Sequence, residues 1–105
     1  MSRHVQPYVG ATVEAMASGL IPEGPNVGRP VTVTLYRDVA SRGTTPVRWY
    51  EVCAPECQDD GRPWRQCWRF TGKHYAEAAR LFARDLAELR LTVNVDRREV
   101  SNAQR

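Results

Sequence analysis

Residues 75 to 89 restrict the fold more than any other stretch of the chain. Tyr75, Ala79, Phe82, Leu86 and Leu89 recur at spacings of 4, 3, 4 and 3. That spacing puts them on one face of an α-helix. Glu77, Arg80, Arg84, Asp85 and Glu88 fall away from the stripe, and Thr71-Gly72 opens the helix. A helix with one apolar stripe has to bury it against a second layer. The only large apolar face on offer is the set of strands that precedes it.

Val31-Thr32-Val33-Thr34-Leu35-Tyr36 alternates strictly, with Val31, Val33 and Leu35 on one face. This is the mark of a half-buried strand. Val47 to Cys53 (V-R-W-Y-E-V-C) and Trp64 to Phe70 (W-R-Q-C-W-R-F) are rich in aromatic and β-branched residues and read as two more. Ser41 to Pro46 is expected to be a loop, and Ala54 to Pro63, with its prolines and Asp-Asp-Gly, a turn region. Short connections predict an antiparallel meander. The expected fold is therefore α+β, a three-stranded antiparallel β-meander packed on one amphipathic C-terminal helix. Alternation puts Val31, Val33, Leu35, Tyr50, Val52, Trp68 and Phe70 under the helix. Trp49, Arg65 and Arg69 then look outward from an uncovered face. Leu91 to Val95 alternates too and reads as a short fourth strand, although no glycine marks the change from helix.

Residues 1–30 are expected to form a partly mobile arm. Thr12 to Ala17 suits one or two helical turns capped by Thr12 and stopped by Gly19. Ile21 to Pro30 holds three prolines and two glycines and reads as a linker. The domain spans 31–95, and 96–105 is expected to fray.

The chain has 105 residues, enough for one domain. No apolar run is long enough for a membrane span, and residues 1–7 lack the pattern of a secretory signal. A cytoplasmic protein is expected. Three cysteines is an odd number for a disulfide scaffold and suits free thiols. Cys53, Cys57, Cys67 and His74 are chemically a legitimate zinc set. They lack a C-x2-C knuckle, so buried thiols acting as small apolar side chains are the preferred reading. Cys57 lies beside Glu56, Asp59 and Asp60, which weakens it as a nucleophile. With no phosphate loop or nucleophile elbow either, no enzyme is expected.

The net charge is +3. Residues 1–61 carry −2 and residues 62–105 carry +5, and arginine outnumbers lysine 14 to 1. Outward arginines on a sheet suit duplex DNA or phosphate. The plain alternative is a solvated face with scattered arginines. Such a face can also dock a protein partner, and the sheet face or a free strand edge could equally well join a second copy of the chain.

Three strands and a helix, with R-F-T-G-K-H-Y-A-E-A-A-R-L-F entering that helix, resemble the arm-type DNA-binding domain of tyrosine recombinases and the related AP2 domain. Phe70, Thr71, Lys73, Glu77 and Ala78 match the positions that close the third strand and open the helix, and the likeness covers about residues 31–90. It implies DNA contact through the sheet and, carried over, points to Arg48, Arg65 and Arg69. The long C-A-P-E-C-Q-D-D-G-R-P connection and Glu51 depart from that pattern, and a catalytic recombinase domain after it is not expected. The order of double-stranded-RNA-binding domains also fits if residues 12–18 are helical. The expectation is a small nucleic-acid-binding or regulatory protein, of the kind found on mobile genetic elements, using Arg48, Trp49, Arg65, Arg69 and Lys73. The alternative is a protein-interaction module, such as a phage- or plasmid-type adaptor or inhibitor.

Overall fold

The computed structural model describes residues 11–38, 47–59 and 62–96, without the side chains of residues 58, 59, 62 and 63. The expected loop at 41–46, the first ten residues of the expected arm and the tail beyond Asp96 lie outside the described residues. The elements are β1 (Ala11–Leu20), β2 (Pro30–Asp38), β3 (Val47–Asp59), β4 (Arg62–Thr71), a 3-10 turn at Gly72–His74, α1 (Tyr75–Glu88) and β5 (Thr92–Asp96). The fold is α+β, but the sheet has five described strands rather than three, in the order β4-β3-β2-β1-β5. All neighbouring strands pair antiparallel. Strands β4 and β5 therefore run in the same direction from opposite edges. Such a pair needs a crossover connection, and α1 supplies it, packing across β2, β3 and β4 on the way.

The helical turns expected at 12–17 are strand β1 instead. Its alanines favour helix, but tertiary packing decides otherwise. A β-bulge at Glu14 interrupts the register between Val13 opposite Tyr36 and Ala15 opposite Leu35. The bulge breaks the period-two pattern that would have marked a strand in the sequence. Ala15 and Ala17 are fully buried beside Leu35 and Val33. Residues 21–29 connect β1 to β2 through a turn in which Gly28, at φ 86°, donates its N–H to the Ile21 carbonyl (2.8 Å). Arg29 ties this connection to β3 by donating to the Glu56 carbonyl at 2.9 Å.

The strand assignments at 31–36, 47–53 and 64–70 agree with β2, β3 and β4. The region 54–63, expected to be a turn, is mostly strand. Ala54 pairs with Trp64 and Gln58 with Pro63, so Pro55, Glu56 and Cys57 bulge out of the ladder. The main core lies between α1 and one face of the sheet. It contains Val31, Val33, Leu35, Tyr50, Val52 and Phe82, with Trp68 and Phe70 packed at its margin. The facing expected from alternation is observed. The helix itself is turned relative to its apolar stripe: its buried residues are Ala78, Phe82 and Asp85. Asp85, expected to point away, faces the sheet.

The helix ends without glycine because Arg90 adopts the left-handed conformation, φ 54°. Leu91 N–H donates to the Leu86 carbonyl (3.0 Å) and Arg90 N–H to the Ala87 carbonyl (3.3 Å). This pair of bonds is the Schellman arrangement that satisfies terminal carbonyls. Strand β5 follows at once. It pairs with β1, and Leu91 sits close over Gly19, where a Cβ would come within 2.7 Å of it. Among the described residues no helix is long and apolar enough to cross a membrane.

Candidate functional site

The sheet face opposite α1 is not bare. Val47, Trp49 and Cys67 form a second buried cluster, with Ala11 and Tyr36 packed against it. Trp49 is only 3% exposed, which corrects its expected outward position. Beside it the buried Glu51 accepts from two partners, the Tyr36 hydroxyl (3.1 Å) and Arg65 Nε (2.6 Å). Burial, and then the Glu51 charge, push the Tyr36 phenol up to about 12. The same two causes push the Cys67 thiol up to about 12. The hydrogen bond to Glu51 pushes the Arg65 guanidinium up in turn. Arg65 does emerge on this face, with 41% of its side chain exposed, but its charge is committed to Glu51.

Arg48 is committed as well. It lies on the helix side of the sheet and reaches Glu14 with both Nε (3.0 Å) and a terminal nitrogen (2.8 Å). Its guanidinium sits 4.3 Å from the centre of the Tyr75 ring. The bulge at Glu14 makes this pairing reachable, since it turns the carboxylate of an edge-ward strand toward β3. Only 16% of the Arg48 side chain is exposed. Its charge is committed at the core margin rather than presented on the surface.

Arg69 and Lys73 are exposed, as expected. The register adds Arg37, which the sequence reading did not single out. Arg37 stands opposite Arg48, and Arg48 opposite Phe70. Two strand spacings, about 10 Å, separate Arg37 from Phe70, both on the helix side of the sheet. Arg69 projects from the opposite face with Trp49 and Cys67, and Lys73 follows in the 3-10 turn. No described carboxylate forms an ion pair with Arg37, Arg69 or Lys73. Arg80, on the first half of α1, is paired with Glu77 at 2.9 Å. Among the described residues, the end of the sheet where β2 and β4 finish and α1 begins thus carries three exposed cations, spread over both faces, against one carboxylate, Asp38. Nothing in the local sequence around Arg37 marks it; only the strand register brings it there.

The zinc set is not assembled. Cys57 is buried on the helix side of the sheet, whereas Cys53 and Cys67 stand on the opposite face. His74 is exposed at the far end of β4, where the helix starts. Among the described residues, no three His, Cys, Asp or Glu side chains are grouped to hold a metal ion. All three cysteines are free thiols.

The other end of α1 holds a cavity of about 710 Å³ between the helix, the 21–29 connection and the bulged part of the β3–β4 hairpin. Trp64, Trp68, Val52 and Leu89 supply apolar wall, and Glu23, Asp85, Glu88 and Arg84 the charges. Trp68 is stacked on Tyr50, with ring centres 5.7 Å apart. The Tyr50 hydroxyl donates to Asp85, which also accepts from Arg84 Nε at 3.1 Å. Burial and that carboxylate push the Tyr50 phenol far up, so it stays a donor. The sequence reading missed this site because Asp85 and the tryptophans are separated in the chain and meet only in the fold. No protein-family model, curated protein or solved structure matches the chain.

Proposed function

We propose that the protein binds nucleic acid without catalysis, by contacting phosphates through the basic end that carries Arg37, Arg69 and Lys73. The observation that supports this most is the contrast in charge commitment. Arg48 and Arg65 are tied to buried carboxylates, while these three cations are exposed and none is ion-paired to a described carboxylate, although Asp38 adjoins Arg37 in the chain. Guanidinium forks and an ammonium so presented suit phosphate oxygens. Trp49 drops out of the contact set because it is buried. The same burial disfavours a contact through the whole sheet face, so the reading is one of backbone contact at a margin, with duplex DNA as the partner.

Three phosphate contacts set the expected salt dependence. Log affinity for a duplex falls against log salt with a slope of about −3, at roughly −0.9 per phosphate. Anisotropy of a fluorescent duplex, titrated from about 20 mM salt upward, measures it. The triple variant Arg37→Ala, Arg69→Ala, Lys73→Ala is expected to abolish the slope. Absence of binding at the lowest salt removes the proposal and leaves the protein-interaction module in its place.

A further inference from the structure

We infer that the cavity beside the C-terminal half of α1 is a binding site for an organic cation, an amine or quaternary ammonium joined to an apolar body of about one ring. This is independent of the basic end, which lies at the other end of the helix. The volume of about 710 Å³ falls inside the roughly 300–1,000 Å³ of small-molecule sites. Its apolar wall is partly indole, from Trp64 and Trp68. Indole faces attract cations through the ring quadrupole.

The charges decide between ligand classes. Three carboxylates line the cavity, Glu23, Asp85 and Glu88, against one guanidinium, Arg84. Arg84 is already bonded to Asp85, which leaves Glu23 and Glu88 at the mouth. Among the described residues Arg29 is bonded only to neutral acceptors, the Asn26 side chain and the Glu56 carbonyl, so its charge offsets one carboxylate. It does not line the cavity, however, and the lining stays net negative. The negative end of the helix dipole adds to this field; the last turn of α1 carries no basic residue, and Arg90, just past the C-cap, offsets it only in part. An anion would be repelled. A neutral ligand would strip water from the carboxylates without replacing it. A cation with an apolar body satisfies both the wall and the charges.

Three probes of one size separate these cases: 2-phenylethylammonium, 2-phenylethanol and phenylacetate. The readout is the indole N–H resonances of isotope-labelled protein, because Trp64 and Trp68 line the cavity and Trp49 lies buried on the opposite face. The ammonium is expected to bind saturably, in the millimolar range usual for so small a probe, moving Trp64 and Trp68 but not Trp49. The alcohol and the carboxylate are expected to bind at least about tenfold more weakly. Glu88 is exposed, so Glu88→Gln should fold normally and weaken the ammonium about threefold or more while leaving the alcohol unchanged. Equal affinity for the three probes overturns the inference. So does a lack of saturation at about 20 mM ammonium, or a response confined to Trp49.

Discussion

The Tyr50 hydroxyl on β3 donates a hydrogen bond to the Asp85 carboxylate on α1, across the interface between sheet and helix. Both residues are buried. A buried carboxylate in a helix–sheet core is costly unless its oxygens are satisfied. Here Tyr50 and Arg84 satisfy one oxygen each. The pair fixes the rotation of the helix, since Asp85 would otherwise turn to water. Tyr50→Phe keeps the ring on Trp68 but leaves a buried acceptor without its donor, at a cost of about 1–3 kcal/mol. Removing both polar groups, as Tyr50→Phe with Asp85→Leu, is expected to recover much of that loss. Urea denaturation of the three proteins measures it. An unchanged midpoint for Tyr50→Phe would show that the bond contributes nothing.

The pairing of Arg48 with Glu14 predicts a stability effect where the resemblance to sheet-reading DNA-binding domains implies a binding effect. Arg48→Ala leaves the buried Glu14 carboxylate alone, and the expected loss is about 3–5 kcal/mol. Arg48→Lys keeps the charge but not the two-pronged geometry, so a partial loss is expected. The double variant Arg48→Met, Glu14→Met removes the charges together and should fold near normally. If duplex binding occurs through the basic end, that double variant retains the wild-type salt slope. A slope lowered by about one unit would return Arg48 to the contact surface.

These two pairs also show where sequence reading stopped. Alternation in 31–36, 47–53 and 64–70 was enough to assign the faces of three strands, because each face is buried or lined consistently along its length. The same logic failed at β1, where the Glu14 bulge shifts alanines and valines out of phase. It failed again at Asp85, because hydropathy assigns a carboxylate to solvent and only a partner as remote in sequence as Tyr50 can hold it inside. Burial of Trp49 was illegible for a related reason: nothing between Val47 and Cys53 states that both faces of that strand are covered. Register brings Arg37 to the same end of the sheet as Arg69 and Lys73, though on the face opposite to Arg69, and no local pattern encodes that.

Alkaline pH is expected to destabilise the fold earlier than phenol ionisation alone would. Cys67 is raised from 9.0 to about 12 and Tyr36 from 10.0 to about 12, and Tyr50 is raised as well. Each group therefore holds its proton more tightly folded than unfolded. Its contribution is complete below the unfolded value and is lost as pH rises through the folded one. Stability should be level to about pH 9 and then decline toward about pH 12. Cys67→Ala is expected to delay the onset by about one pH unit, because the thiol has the lowest unfolded value. Urea midpoints at a series of pH values test this, and a level profile through about pH 11 would contradict it.

Arg90 closes the helix in a conformation that disfavours side chains. At φ 54° its Cβ crowds the following carbonyl, a strain of about 1–2 kcal/mol for an L-residue. Glycine carries no such strain but is more flexible unfolded, which offsets about half of the gain. Arg90 is exposed, and among the described residues no carboxylate pairs with it. Little else should be lost on replacement. Arg90→Gly is thus expected to raise stability by about 0.5–1 kcal/mol, and Arg90→Ala, which keeps the Cβ, to leave it nearly unchanged. The contrast isolates the backbone from the charge. Should both variants gain equally in thermal denaturation, the guanidinium rather than the backbone conformation carries the cost.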